Sequence, residues 1–314
     1  MSDHPFSRPD APRDPQPSPA ATVLLYRKGE GGPELLLMRR HGGSAFMAGV
    51  SVFPGGRVDP QDGEAPALAA LAGPPLDALS EALSSPGEPR LGLAEAGAYA
   101  FGALRELFEE AGVLLAQTPR GEPLDLGDPG LRAALAAGRA AVHGGALPLP
   151  ALLQELGLRL DVGALAYFAR WITPSFERRR FDARFFLAAL PPGQEAVPDG
   201  AETTELRWLS PAAALAAVRA RALVLAPPTL RSVEALAAAP SPAAFAAAAR
   251  AAPICPILPK VAPGPTIVLP WDPDYPRLEG EGLPFPPEHP DAAAPSRVAL
   301  LDKIWTSVDP GATP

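Results

Sequence analysis

Arg105-Glu106-Leu107-Phe108-Glu109-Glu110-Ala111-Gly112-Val113 carries the most specific pattern in the chain. On a helix turning about 100° per residue, Glu109 and Glu110 fall three and four positions after Glu106, so the three carboxylates share one narrow stripe. Phe101, Leu104, Leu107, Phe108 and Ala111 gather on the opposite side. The result is a half-buried amphipathic helix, and Gly112 stands where a left-handed cap would end it. Like charges at this spacing repel by about 1 kcal/mol per close pair in water, and by about 4 kcal/mol at an effective dielectric of roughly 20. Arg105 can pair with one carboxylate but cannot satisfy three, whereas a hard divalent cation with oxygen ligands can. A solvated helix face carrying ordinary charges is the plain alternative.

Upstream, Val52-Phe53-Pro54-Gly55-Gly56-Arg57-Val58 reads as an apolar strand running into a Gly-Gly turn. Together the two stretches resemble the Nudix hydrolases, whose box is a glycine, five residues, an acid, seven residues, then REUxEExGU with U apolar. Gly56 takes the place of the opening glycine and Asp62 that of the acid, usually Glu, with Glu64 as a nearby substitute. The spacing departs from the family: 42 residues separate Asp62 from Arg105, an excess of 35. Stretching such a loop costs only about 1.6 kcal/mol of closure entropy, so the interruption is tolerable if its base stays pinned.

The resemblance implies an α/β fold, the Nudix α/β/α sandwich, carrying helical insertions and an extended Pro-rich C-terminal arm. It also implies hydrolysis of a diphosphate linked to another moiety. Glu106, Glu109 and Glu110 would hold Mg²⁺ or Mn²⁺, and Arg105 would orient Glu106 through a charge-assisted bond. Gly55 and Gly56 would let the backbone approach the substrate closely, with Arg57 next to them as a phosphate contact. Many Nudix enzymes carry a further glutamate shortly before a strand ending in Trp. Glu202, six residues before Trp208, is the corresponding candidate to bind a second metal or accept a proton.

Farther along, Arg170-Trp171-Ile172-Thr173-Pro174, then Arg180, Phe181, Asp182, Arg184, Phe185 and Phe186, and later Glu205 and Trp208-Leu209-Ser210-Pro211 are similar to the coenzyme A diphosphatases with an interrupted box. The expected reaction is then cleavage of coenzyme A or acyl-coenzyme A, with Arg39 or Arg40 holding the adenosine phosphates and the insertion sheltering the pantetheine or acyl arm. A separate coenzyme A signature is matched only in part: Gly49 and Phe53 to Gly56 are present, but Met47 stands where a histidine is usual. ADP-sugars, dinucleotides and dinucleoside polyphosphates remain the alternative substrates. A catalytically silent nucleotide-binding module is the alternative of another class, although silent members typically lose box carboxylates.

Composition frames these readings. A chain of 314 residues with net charge −8 and pI ≈ 5.1 shows no basic stripe for coating nucleic acid, so a small-molecule partner is expected. Cys255 is the single cysteine and the four histidines lack ligand spacing, which excludes an intrachain disulfide and a cysteine-based zinc site. No run of about 18 apolar residues and no signal-peptide core occurs; the expectation is a cytoplasmic protein without a membrane partner, a homo-oligomer being left open. Phosphate-loop, serine-elbow and HExxH patterns are missing.

Punctuation suggests three regions. Residues 1–20, rich in proline, are expected to be disordered. Residues 21–220 form the Nudix domain, with insertions at about 63–95 and 128–157. It opens with strands Ala21 to Tyr26 and Leu35 to Arg39 around a Gly29 to Gly32 turn, and includes a short helix from Leu76 to Leu83 and the box helix from about Gly97. Residues 221–314 make a helical extension and then a Pro-rich arm packed on the core, because Ile257, Ile267, Leu269 and Trp271 are too apolar for a free tail.

Overall fold

A computed structural model of the chain describes residues 16–40, 50–177, 179–200, 203–249 and 253–310. The expected hairpin is there, as β1 (Ser18–Gly29) and β2 (Gly32–Arg40) paired antiparallel through Gly29 and Gly32. β1 starts inside the segment expected to be disordered: Ser18 to Ala20 already pair with neighbouring strands, which corrects the 1–20 tail. Two short strands follow, β3 (Ser51–Val52) against β2 and β4 (Gly55–Arg57) against β1.

The chain then leaves the sheet through α1 (Ala65–Ala69), β5 (Leu71–Ala72) and α2 (Leu76–Leu83), and returns as the box helix α3 (Leu93–Ala111). α3 begins four residues earlier than its expected start at Gly97, because Ala94, Glu95 and Ala96 favour helix. It ends as expected, with Gly112 left-handed at φ 69° and its N–H bonded to Phe108 O at 2.9 Å. β6 (Ala116–Gln117), α4 (Pro129–His143), α5 (Leu149–Leu156) and β7 (Arg159–Asp161) form the second excursion, and β5, β7 and β6 make a small sheet.

β8 (Ala166–Ile172), β9 (Phe181–Ala189) and β10 (Thr203–Leu209) complete the main sheet, followed by α6 (Pro211–Arg219), α7 (Pro227–Leu236) and α8 (Pro242–Ala248). With β11 (Pro256–Ile257) at its edge, the sheet runs β10-β2-β1-β9-β8-β11, β1 and β9 being parallel. Residues after Pro253 do pack on the core, but not only as an arm: β12 (Lys260–Ala262), β13 (Thr266–Val268), β14 (Arg297–Leu301) and β15 (Ile304–Val308) form a four-stranded antiparallel sheet.

Strand periodicity explains the layers. Val23, Leu25, Leu36, Met38 and Phe186 face the box helix and the two excursions. Leu24, Leu35, Leu37, Phe185 and Leu187 face α6, α7, α8 and the C-terminal sheet. Both faces of the central strands are therefore buried, as their near-continuous apolar sequence requires. The architecture is the expected mixed α/β sandwich. Among the described residues no helix is long and apolar enough to cross a membrane.

Candidate active site

The base of the interrupted loop is closed by a clasp. Arg105 Nε and Nη2 donate to Asp62 Oδ1 and Oδ2 at 2.9 and 3.0 Å, a bidentate pair in which Asp62 is 2% exposed. Asp62 is itself held by Asp59 N–H at 2.8 Å. Arg105 Nη2 also donates to Arg57 O at 2.9 Å, so one guanidinium joins the Gly-Gly turn, the acid and α3 across 43 residues of chain. Gly102, one turn before Glu106, makes room: a Cβ there would stand 3.0 Å from Asp62 Oδ2. Asp62, which stands six residues after Gly56, is thus bound to the arginine that precedes the acid stripe.

The remaining arm of Arg105 reaches the carboxylate stripe. Nη1 donates to Glu106 Oε1 at 2.9 Å and to Glu109 Oε1 at 3.2 Å. Burial works against the Arg105 charge, but the bond to Asp62 and the charges of Glu106, Asp62 and Glu109 hold it above the usual guanidinium range. Glu106 moves the other way. Burial pushes its carboxyl up to about 7; Arg105 opposes the shift, while Glu109 and Asp62 add to it.

Glu110 is fixed separately, accepting Gly55 N–H at 2.7 Å. Both glycines are required by space. A Cβ on Gly55, whose φ is 150°, would lie 2.3 Å from Ala21 O, and one on Gly56 would lie 2.7 Å from the Glu106 carboxyl. Gly56 therefore lets the turn lie flat against the acid stripe.

These groups form one end of a cavity of about 680 Å³ that also takes in Ala226, Pro227 and Pro228 at the start of α7. Ala20 and Thr22 of β1, and Ala183 and Phe185 of β9, belong to its lining; Trp171, Pro227, Ile267 and Trp305 give it an apolar wall, and the loop between β8 and β9 adds Phe176 beside Thr173, Glu177 and Arg179, with Phe181 at the start of β9. Arg57 and Arg179 line it and, among the described residues, carry no side-chain ion pair. A second cavity, about 1170 Å³, lies between the first insertion and α4–α5 and shares Asp59, Arg105, Glu109 and His143 with the first.

The model of the NUDT19 Nudix domain matches residues 18–236. The chain belongs to this Nudix family. It is 33% identical over 254 residues to the acyl-coenzyme A diphosphatase NUDT19 of Homo sapiens, covering 74% of this chain and 65% of that protein. The corresponding protein of Gallus gallus is 34% identical over 248 residues, covering 67% of this chain and 65% of its own. The matches thus span a little less than two thirds of these relatives. Among solved structures, the Nudix hydrolase from Alicyclobacillus acidocaldarius superposes with a TM-score of 0.57 at 29% identity, covering 74% of this chain and 96% of that one.

Nudix hydrolases in general need a divalent metal. Among the described residues no three acidic, imidazole or thiol groups stand together as a ready ligand set, since Arg105 pins Glu106 and Glu109 while Gly55 holds Glu110. The chemistry nevertheless fits a hard cation. Asp59, Asp62, Glu106 and Glu109 all lie within 4 Å of a single guanidinium, which leaves excess negative charge on all-oxygen donors.

The structure gathers Arg105, Glu106, Glu109, Glu110, Gly55, Gly56 and Arg57 in the Nudix site. Arg39 is not part of the cavity lining. It is largely exposed on β2 and stands 3.9 Å from Glu205 Oε2 of β10, so its charge is directed across the sheet edge rather than into the site. Arg40 ends β2 and its side chain lies outside the described residues, as do Glu202, Met47 and Gly49. Residues 63–95 are missing from the lining of the first cavity but contribute Glu64, Pro66, Ala67, Ala69 and Ala70 to the second, which shares Arg105 and Glu109 with it. Their leucines are spent on α3: Leu68 and Leu76 close over Gly97, where a Cβ would meet Leu68 Cδ2 at 2.3 Å.

Sequence reading passed over several neighbours. Arg139 of α4 donates from Nε to Glu109 O at 2.9 Å, and burial lowers its pKa. His143 ends α4 with Nδ1 3.9 Å from Glu109 Oε2. Glu177, Arg179 and Trp305 also line the cavity, and burial raises the Glu177 carboxyl. The sequence marked an insertion at about 128–157 but carried no sign of which helix its residues would meet.

Proposed function

We propose that the chain is a metal-dependent diphosphohydrolase that cleaves coenzyme A or acyl-coenzyme A at the diphosphate, yielding adenosine 3′,5′-bisphosphate and a 4′-phosphopantetheine product. The observation carrying this reading is one cavity lined by the box carboxylates, by Arg57 and Arg179, which have no ion pair among the described residues, and by an apolar, aromatic wall. Such a cavity suits a ligand that is polyanionic in the middle and apolar at one extremity. The relatives from Homo sapiens and Gallus gallus, both named acyl-coenzyme A diphosphatases, support the same substrate class.

Glu106, Glu109 and Glu110 would hold Mg²⁺ or Mn²⁺. When bound, such an ion supplies neutralisation of the non-bridging oxygens and a more acidic water. The chain's own groups do the rest. Arg57 and Arg179 bind phosphate oxygens and set the diphosphate against the acid stripe. Arg105, locked by Asp62, keeps Glu106 Oε1 in place. Water attacks phosphorus, its proton passes to a carboxylate, and the bond to the bridging oxygen breaks with the second phosphate as leaving group. Glu202 is the proposed proton acceptor, and Glu202→Gln should lower kcat without raising KM. An unchanged rate in that variant would transfer the role to Glu106 Oε2. Cytoplasmic action belongs to the same proposal.

The test is to incubate the full chain with coenzyme A species, ADP-ribose and dinucleoside polyphosphates in Mg²⁺ or Mn²⁺ and identify both products by mass. Preference for ADP-ribose over every coenzyme A species would overturn the substrate assignment. No hydrolysis of any compound would leave a binding module.

A further inference from the structure

The family match ends at residue 236, but the cavity does not. Pro259, Ile267 on β13 and Trp305 on β15 all line it, together with Trp171 and Phe185 of the Nudix core. Ile267 and Trp305 are 7% and 8% exposed and belong to the same buried cluster as Trp171 and Phe185.

Three ties fasten this C-terminal module to the site. β11 pairs with β8 at Arg170 and Trp171, two residues before Pro259. Arg180, 4% exposed, donates from Nε to Thr173 O at 2.8 Å and from Nη2 to Glu281 Oε2 at 2.8 Å, so the loop bearing Glu177 and Arg179 is stapled to the module. Ser307, two residues after Trp305, donates to Glu234 Oε2 of α7 at 2.8 Å. The module is therefore positioned by both the main sheet and α7.

We propose that the C-terminal module supplies an apolar subsite for the acyl arm of a thioester substrate, with Trp305 and Ile267 as specificity-determining residues. This rests on the coenzyme A reading above. The choice of the acyl arm over the purine follows from the wall's chemistry: Ile267, Pro259, Pro227 and Phe185 present only carbon. A purine edge buried there would lose its hydrogen bonds, whereas a hydrocarbon chain loses none. Charge agrees, because the free guanidiniums Arg57 and Arg179 are available to the phosphates, and no side chain from the module adds a cation to the lining.

The experiment measures kcat/KM for free coenzyme A and for short, medium and long straight-chain acyl thioesters with the full chain. Wild type should gain with chain length, by up to about fourfold per buried methylene. Trp305→Ala should lose about tenfold more on the long thioester than on free coenzyme A. Ile267→Phe, which narrows the cavity while keeping an apolar core residue, should cut the longest chain first; it serves as the deciding variant if Trp305→Ala does not fold. A wild-type rate independent of chain length, or equal losses on free and acylated substrates, would overturn the subsite and leave the diphosphatase reading intact. Failure of wild type on all coenzyme A species would instead sink the reading on which it rests.

Discussion

At the α3 end of the cavity four carboxylates crowd one guanidinium, while at the other end Trp171, Phe185, Ile267 and Trp305 meet in a buried apolar cluster. The first end is built from one helix and one turn, joined by hydrogen bonds with defined angles. The second is assembled from two neighbouring strands of the main sheet and two strands of the C-terminal sheet, roughly 80 to 130 residues farther along the chain, whose apolar side chains pack together. Directional bonds place reacting groups, whereas shape and area choose among substrates, so changes at the two ends should register in different kinetic constants.

The largest effect is expected at the charged end. Glu110→Gln keeps an oxygen for Gly55 N–H but removes a charge, and should lower turnover by about 10² to 10⁴-fold with the melting temperature retained. Full activity in this variant, or undiminished turnover in chelator, would refute the division between the ends. Asp62→Ala should cost about 3 kcal/mol in denaturant unfolding, because it strips the buried Arg105 of its bidentate partner. A stability equal to wild type would mean that Glu106 and Glu109 suffice to hold the guanidinium.

Away from the acids, Arg179→Ala should raise KM by about tenfold with kcat nearly kept, the signature of a phosphate contact rather than of chemistry. A fall in kcat alone would move Arg179 to the catalytic end. The smallest effect is on stability. Glu106 has a carboxyl raised from 4.5 to about 7 by burial, so between those values the folded chain binds more protons than the unfolded one. Metal-free protein should thus lose stability as pH rises through that window, and Glu106→Gln should remove the slope; thermal scans across pH in chelator test it.

The contrast also explains what could be read from the sequence. Glu106, Glu109, Glu110 and Gly112 were legible because helical period and a left-handed cap are local properties, and α2 was legible to the residue at Leu76–Leu83 because prolines and a polar stop bracket it. The C-terminal sheet was not. β13 has three residues and pairs with β14 across an intervening stretch dense in proline, so neither strand announces itself locally. Trp305 reaches the cavity from 200 residues beyond Arg105, and only tertiary packing specifies that meeting. The packing of the insertion was hidden for a related reason. Its Leu71, Leu79 and Leu83 are buried in the same cluster as the apolar face of α3, a contact that its own sequence does not announce. Deleting residues 66–92 would therefore uncover the box helix and destabilise the fold.

The Asp62–Arg105 clasp makes the length of that interruption chemically neutral. Because both banks of the gap are tied at one bidentate joint, material can be added to or trimmed from the span between them without shifting Glu106 relative to Gly56, provided the face of α3 stays covered. A motif that looks broken when counted in residues is continuous when counted in bonds: turn to Arg57 carbonyl, carbonyl to guanidinium, guanidinium to carboxylate.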